Sequence, residues 1–300
     1  MAIWEDYYTH FKIEPDSVRS GCEPRIMVQE QPTEKAIILI HGLTDSPFFM
    51  EAIGECFYQS GYNVFIPLLA GHGLTEPKYF RGVKLEAWIK NVNFAIQEAQ
   101  DKYNCKIISI GGLSTGGTLS VLKMFESPNE LTGGIFLFSA ALDLAGIAGN
   151  LIEKLLRTRI ILPILAHLED WFGKELIGDN PYRYSRMDKD GAKELSKLIY
   201  EIDRHLKKIK KDDININQPI FVAHSEYDSA ADIEGVEKLI VKNDPTKTEF
   251  FKIGKYFHVP HASVVLKKEV RAKNGSPLEP KNPFFDEMMN KVYQFQQQHF

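Results

Sequence analysis

The chain has 300 residues, 44% of them hydrophobic, enough to bury a large core as one big domain or a domain with an insertion. Its net charge of -4 leaves no footprint for nucleic acid or an acidic membrane surface. Three cysteines, Cys22, Cys56 and Cys105, are too few and too scattered for a disulfide framework or a zinc site. The N-terminus lacks a basic stretch followed by an apolar run, so no signal peptide is expected. No run of about 18 apolar residues is present to span a bilayer. A cytoplasmic protein follows, with no metal, no cofactor, no nucleic-acid partner and no stable membrane insertion.

Residues 1–34 are aromatic, then polar with scattered prolines, and read as an N-terminal arm adding an edge strand around residues 25–29. From there strand-like and helical runs alternate. A strand over 36–40 precedes a helix over 48–59, and a strand over 63–66 precedes a longer helix over 85–103. A β-branched strand over 105–110 leads to a helix over 118–125 and a strand over 134–138. Residues 139–218 break the rhythm, with helical patterns at 149–161, 163–172 and 191–210 and no convincing strand. A strand over 219–223, a helix over 233–241, a strand over 248–253 and a helix over 284–297 complete the chain.

Continuous apolar strands separated by helices indicate an α/β fold, with a mostly parallel sheet covered on both faces. Ligands of such sheets collect at the carboxyl ends of the strands. The expected organisation is an arm (1–34), a core built from 35–138 and 219–300, and a helical cap insertion (139–218) over the strand ends. The insertion's first half is unusually apolar from Leu151 to Leu165. Most of those residues are expected to pack the helices together, with part of the stripe lining an apolar substrate pocket. Lys207, Lys208, Lys210 and Lys211 read as a solvated face.

Gly112-Leu113-Ser114-Thr115-Gly116 fits G-x-S-x-G between a strand and a helix. That pattern asks for a tight turn holding a serine in strained backbone with its hydroxyl above the sheet. Glycines at 112 and 116, flanked by Gly111 and Gly117, remove Cβ atoms that would collide there. A serine needs a base to take its proton, a carboxylate to orient the base, and donors for the developing oxyanion.

His41-Gly42-Leu43-Thr44 directly follows the 36–40 strand. With that turn and the serine motif the chain resembles the α/β-hydrolase superfamily over about residues 35–300. The resemblance implies oxyanion donors at the amides of Leu43 and Thr115, with His41 orienting the loop. It implies an acid just past a late strand, where Asp228 stands. Asp143 is a rival position for the acid, Asp232 reads as a helix cap, and Glu226 sits too close to the strand. Two histidines, His258 and His261, follow the last strand. Val259-Pro260 constrains the chain behind His258, whereas small residues follow His261, so His261 is preferred as base, with His258 the alternative. His72, in Gly71-His72-Gly73, resembles an entrance loop of lysophospholipase-like and esterase-like relatives.

Within the superfamily the loops and cap look most like bacterial carboxylesterases and monoglyceride-lipase-like enzymes. A serine at the elbow argues against haloalkane dehalogenases and epoxide hydrolases, which carry aspartate there. The implied activity is hydrolysis of small carboxylic esters with apolar, short to medium acyl groups, through Ser114, His261, Asp228 and an acyl-enzyme. The same machinery suits a thioesterase, amidase or peptidase, carbon–carbon hydrolase or acyltransferase. A non-catalytic small-molecule-binding protein of this fold is a further alternative. Oligomeric state is left open.

Overall fold

Aliphatic, β-branched runs without polar alternation make strands buried on both faces, and the sheet they form decides where the rest of the chain sits. The computed structural model describes residues 1–76, 81–144, 177–186, 188–209 and 216–300. Eight strands form one sheet: β1 (Ala2–Ile3), β2 (Arg25–Met27), β3 (Lys35–Ile40), β4 (Asn63–Ile66), β5 (Ile107–Leu113), β6 (Ile135–Phe138), β7 (Ile220–Ser225) and β8 (Thr248–Ile253). Their spatial order is β1-β2-β4-β3-β5-β6-β7-β8. Strands β3 to β8 run parallel, with Ile38 opposite Phe65 on one side and Ile110 on the other. β2 joins β4 antiparallel, and β1 adds antiparallel outside it. A separate hairpin pairs β9 (Val270–Arg271) with β10 (Pro277–Glu279).

The described helices are α1 (Glu5–Phe11), α2 (Phe48–Gln59), α3 (Leu85–Asp101), α4 (Thr115–Glu126), α5 (Lys189–Lys208), α6 (Ile233–Ile240) and α7 (Phe285–His299). The two-residue period of β3 assigns them to layers. Ala36, Ile38 and Ile40 point into a core shared with α1, α3, α4, α5 and α6, whereas Ile37 and Leu39 point into one shared with α2 and α7. The result is a three-layer α/β-hydrolase fold.

Three boundaries differ from the sequence reading in ways that bear on the site. β5 continues through Gly111 and Gly112 to Leu113, and α4 begins at Thr115, three residues before the helix expected at 118. The glycines read as turn formers, yet Gly116 is helical, and its missing Cβ leaves room for the Ile40 carbonyl oxygen, which would stand 1.9 Å from one. The third difference is β1, too short to leave a periodic signal, which makes the edge beyond β2.

The expected helices at 149–161 and 163–172, the apolar run from Leu151 to Leu165, Lys210 and Lys211 lie outside the described residues. The remaining pattern of the 139–218 span is α5. Asp188 caps it by accepting from the Asp190 amide. Leu195, Leu198, Ile199 and Ile202 form an apolar stripe at three- and four-residue spacing that packs on α4 and α3. Glu194, buried beside them, accepts from the Leu85 amide at the start of α3 (3.1 Å) and from Lys197 (2.7 Å).

Residues 1–34 are docked along their aromatic half. Trp4 is 1% exposed, donates its indole N–H to Glu98 (2.7 Å), and packs on Tyr7 and Phe65. The Tyr7 hydroxyl donates to the Leu68 carbonyl (2.6 Å). No helix among the described residues is long and apolar enough to cross a membrane.

Candidate active site

Ser114 links β5 to α4 with φ 54 and ψ -117, a conformation costly to any residue with a Cβ. The surrounding backbone enforces it. The Ser114 amide donates to Phe138 (3.1 Å), and its carbonyl accepts from Thr118 (3.0 Å) and Ala141 (3.2 Å). The residue is 9% exposed and opens onto a cavity of about 560 Å³ at the carboxyl ends of the strands.

His261 lines the same cavity. It starts a short 3-10 turn, Ala262–Val265, whose four residues are buried and whose Ala262, Val264 and Val265 pack into the α2 side of the core. Its Nδ1 lies 2.6 Å from Oδ2 of Asp228, just past the end of β7. The other Asp228 oxygen accepts from the amides of Ala230 (2.8 Å) and Ala231 (2.9 Å), so the carboxylate is fixed with Oδ2 left for the imidazole. An ionised carboxylate only accepts, so Nδ1–H donates, and in the neutral ring Nε2 then carries the lone pair. Burial alone would raise the Asp228 pKa. The hydrogen bond and charge of His261, with the Ala231 amide and His224, outweigh it and hold the carboxyl below its ordinary range.

The competing residues are placed elsewhere. His258 is left-handed (φ 48) and exposed, edge-on to the Tyr227 ring at 4.8 Å. Asp143 pairs with Lys238 (2.8 Å), and its carbonyl accepts from the Asp232 amide. Asp232 caps α6 by accepting from Glu234 (3.0 Å), and Glu226 accepts from the Lys255 amide. Ser114, His261 and Leu43 thus share one cavity, with Asp228 behind His261.

The amides of Leu43 and Thr115 face different constraints. Thr115 is the first residue of α4, so its N–H has no acceptor within the helix. Leu43 is controlled by the residue before it. The Leu69 amide donates to Nε2 of His41 (3.1 Å), which puts the His41 proton on Nδ1, donating to the Gly42 carbonyl (2.9 Å). The Asp45 amide donates to the same carbonyl (3.2 Å). In a trans peptide the N–H points opposite to the C=O, so fixing the Gly42 oxygen also aims the Leu43 N–H. A Cβ built on Gly42 would lie 3.3 Å from Ser114 Cβ, so this turn sits directly against the serine.

A family model described as Serine aminopeptidase, S33, matches residues 31–262. The chain belongs to this family. The S33-family chain is 31% identical over 134 residues to the thermostable monoacylglycerol lipase of Bacillus sp. (strain H-257), an alignment covering 45% of this chain and 50% of that one. It therefore spans about half the length of that curated relative. Among solved structures, a metagenome-derived lipolytic enzyme from a study of LipS and LipT superposes with a TM-score of 0.67 at 21% identity, covering 94% of this chain and 100% of that one. The monoacylglycerol lipase of Paleococcus ferrophilus gives 0.64 at 15% identity, with 93% and 100% covered. At such identities the two superpositions speak for the fold.

In this S33-family chain the sequence reading missed Arg183 and Asp45. Arg183 reaches the turn after β3 from the 177–186 segment. Its Nε lies 3.1 Å from Asp45, Nη2 2.7 Å from the Thr44 hydroxyl, and Nη1 2.7 Å from Glu279 on β10. A lone arginine in an irregular segment carries no periodic signal. The available hint was Asp45 itself, a carboxylate beside a strand end that needs a cation if buried. Among the described residues no group of three or more His, Cys, Asp or Glu is placed to hold a metal ion.

His41 and His72 are fully buried with their rings 4.9 Å apart, and His72 Nε2 lies 2.7 Å from the Leu43 carbonyl. Burial pushes His41 down to about 4; burial, then the neighbouring His41, pushes His72 down to about 3. These folded values lie below the ordinary imidazole value of 6.5, so the unfolded chain binds more protons at intermediate pH. Their contribution is fully present above pH 6.5 and is lost as pH falls toward 4 and 3. Urea unfolding between pH 7 and pH 4 is expected to lose stability on the order of several kcal/mol. A midpoint that stays constant over that range would contradict the neutral, buried pair.

Proposed function

We propose that this protein hydrolyses carboxylic esters, with Ser114 as nucleophile, His261 as general base and acid, Asp228 as the orienting carboxylate, and the Leu43 and Thr115 amides as oxyanion donors. The observation that carries this reading is the 2.6 Å His261–Asp228 contact on the cavity that a strained Ser114 also lines. With Nδ1–H directed to Asp228, the Nε2 lone pair takes the Ser114 proton as Oγ attacks the ester carbonyl. The carbonyl oxygen gains negative charge and is held by the two amides. The C–O bond to the alcohol then breaks, the departing oxygen receives the proton from His261, and an acyl-serine remains. Water, deprotonated by His261, attacks that acyl group, and Ser114 leaves with the proton.

Leu43, Ala141, Leu144, Leu195, Ala230 and Leu278 give the cavity an apolar wall suited to an acyl chain of short to medium length. The named relatives that are monoacylglycerol lipases make glycerol monoesters the first class to assay. Three free cysteines suit a cytoplasmic site of action. The family's description makes amino-terminal amide cleavage the second reading. Two cavity carboxylates, Asp45 and Glu279, could face an ammonium, but both are paired with Arg183, which favours the ester reading.

The test is labelling by a fluorophosphonate together with a panel of esters of graded chain length, a thioester and aminoacyl anilides. Labelling is expected at Ser114, with ester turnover dominant and falling for long chains. Ser114→Ala is expected to lower kcat/KM by about 10⁴-fold or more. Turnover of anilides above esters would replace the ester reading, and a well-folded protein that fails to label would end it.

A further inference from the structure

We propose that Arg183 is a positioning residue for the oxyanion turn, acting through Asp45 and Thr44 without touching the reacting atoms. The inference rests on the ester-hydrolase reading above.

Asp45 is 2% exposed, and its Oδ2 occupies the space that a Gly42 side chain would take, 2.3 Å from a Cβ built there. The carboxylate therefore packs against Gly42, whose carbonyl shares a peptide with the Leu43 N–H. A carboxylate so buried is held only if it is paired and hydrogen-bonded. The Arg183 Nε supplies the charge at 3.1 Å, and the Thr44 hydroxyl, accepting from Arg183 Nη2 at 2.7 Å, donates to Asp45 at 3.2 Å. The guanidinium is a planar fork, so these contacts fix the relative positions of Thr44 and Asp45 as well as their charge.

Neighbouring bonds lock the arginine's own backbone to the same turn. The Tyr184 amide donates to the Thr44 carbonyl (2.7 Å), and the Ser46 hydroxyl donates to the Tyr182 carbonyl (2.7 Å). The Tyr182 ring stacks on Phe48 at 3.7 Å, with 6° between the planes. Glu279 fixes the far side of the guanidinium. With all three nitrogens engaged, Arg183 serves the turn instead of a free anionic substrate.

The consequence is directional. The Asp45 amide is one of two donors that hold the Gly42 carbonyl, and that carbonyl sets where the Leu43 N–H points. Releasing Asp45 from Arg183 lets the turn rotate and misaim the Leu43 amide, while the Ser114, His261 and Asp228 geometry is untouched.

The experiment compares Arg183→Met, Arg183→Lys and Thr44→Val with wild type. It reads kcat and KM for an activated short-chain ester and the inhibition constant of an alkylboronic acid. The boronate adduct on Ser114 places an oxygen where the oxyanion would lie. Arg183→Met is expected to lower kcat by about 10²-fold with KM changed less than about threefold, and to weaken the boronate by a similar factor. Arg183→Lys is expected to recover part of both, and Thr44→Val to lower both by roughly fivefold. If Arg183→Met fails to fold, the other two variants decide.

A rise in KM at constant kcat would assign Arg183 to substrate binding. Unchanged boronate affinity with a lowered melting temperature would assign it to stability. Either result overturns the proposal, as does wild-type kcat in both Arg183→Lys and Thr44→Val. Ser114-dependent turnover in wild type with insensitive variants overturns this role alone. Absence of that turnover overturns the ester reading and this role with it.

Discussion

His261→Ala is expected to lower ester turnover by about 10⁴-fold or more, while His258→Ala leaves it within about threefold. The two histidines are separated in sequence only by Val259 and Pro260, so composition and spacing barely distinguish them. Backbone geometry does. His258 sits at φ 48 with its ring exposed beside Tyr227, and the chain then passes through buried Val259 to a turn that presents His261 to the cavity. Only His261 meets a carboxylate whose other oxygen is already saturated by two amides. The measurement is kcat and kcat/KM for a p-nitrophenyl ester, with melting temperatures to show that both variants are folded. An active His261→Ala beside an inactive His258→Ala would reverse the assignment.

The second large effect is expected from a change that removes no reactive group. Gly116→Ala should destabilise the protein by about 4 kcal/mol or more, enough to abolish soluble expression of a marginally stable domain. The added Cβ would lie 1.9 Å from the Ile40 oxygen, 2.5 Å from the Ile40 carbon and 2.8 Å from the His41 oxygen. All three are backbone atoms, so no rotamer relieves the overlap. Either α4 leaves β3, opening the core that Ile40 and Leu119 share, or the turn after β3 is displaced at His41. Gly254→Ala is the control, since a Cβ there meets only the Phe257 ring at 3.7 Å. That control should change stability by less than about 0.5 kcal/mol. Urea unfolding, with fluorophosphonate labelling of the folded fraction, separates the outcomes. A Gly116→Ala protein of wild-type stability would mean that the α4–β3 approach is looser than these distances.

The parallel strands were legible because burial on both faces leaves continuous apolar runs, and the described helices from α2 onward because their faces alternate at helical spacing; α1 and the β9–β10 hairpin were not. The candidate triad residues were legible for a related reason: each follows a strand end, where side chains gather in a sheet of this kind. What escaped was structure built by long-range contact. β1 is two residues long and leads directly into the buried Trp4. The start of α4 was misplaced because glycine signals a turn locally, whereas here it marks the close approach of another strand. Arg183 escaped most completely. It is 138 positions from Asp45 along the chain, as the two residue numbers give directly, and its role depends on a carboxylate that looks ordinary in sequence.

The bonds joining residues 182–184 to residues 44–48 bear on recombination between relatives. Grafting a foreign 139–218 segment onto this scaffold, in order to import a new specificity, would replace Tyr182, Arg183 and Tyr184 together. The graft would exchange the tether of the turn as well as the wall of the cavity. A graft that ends before Asn180, or starts after Arg186, keeps the native tether, and one that spans residues 180–186 requires the donor to bring a matching one. Module boundaries drawn from sequence layout would cut through this joint unseen.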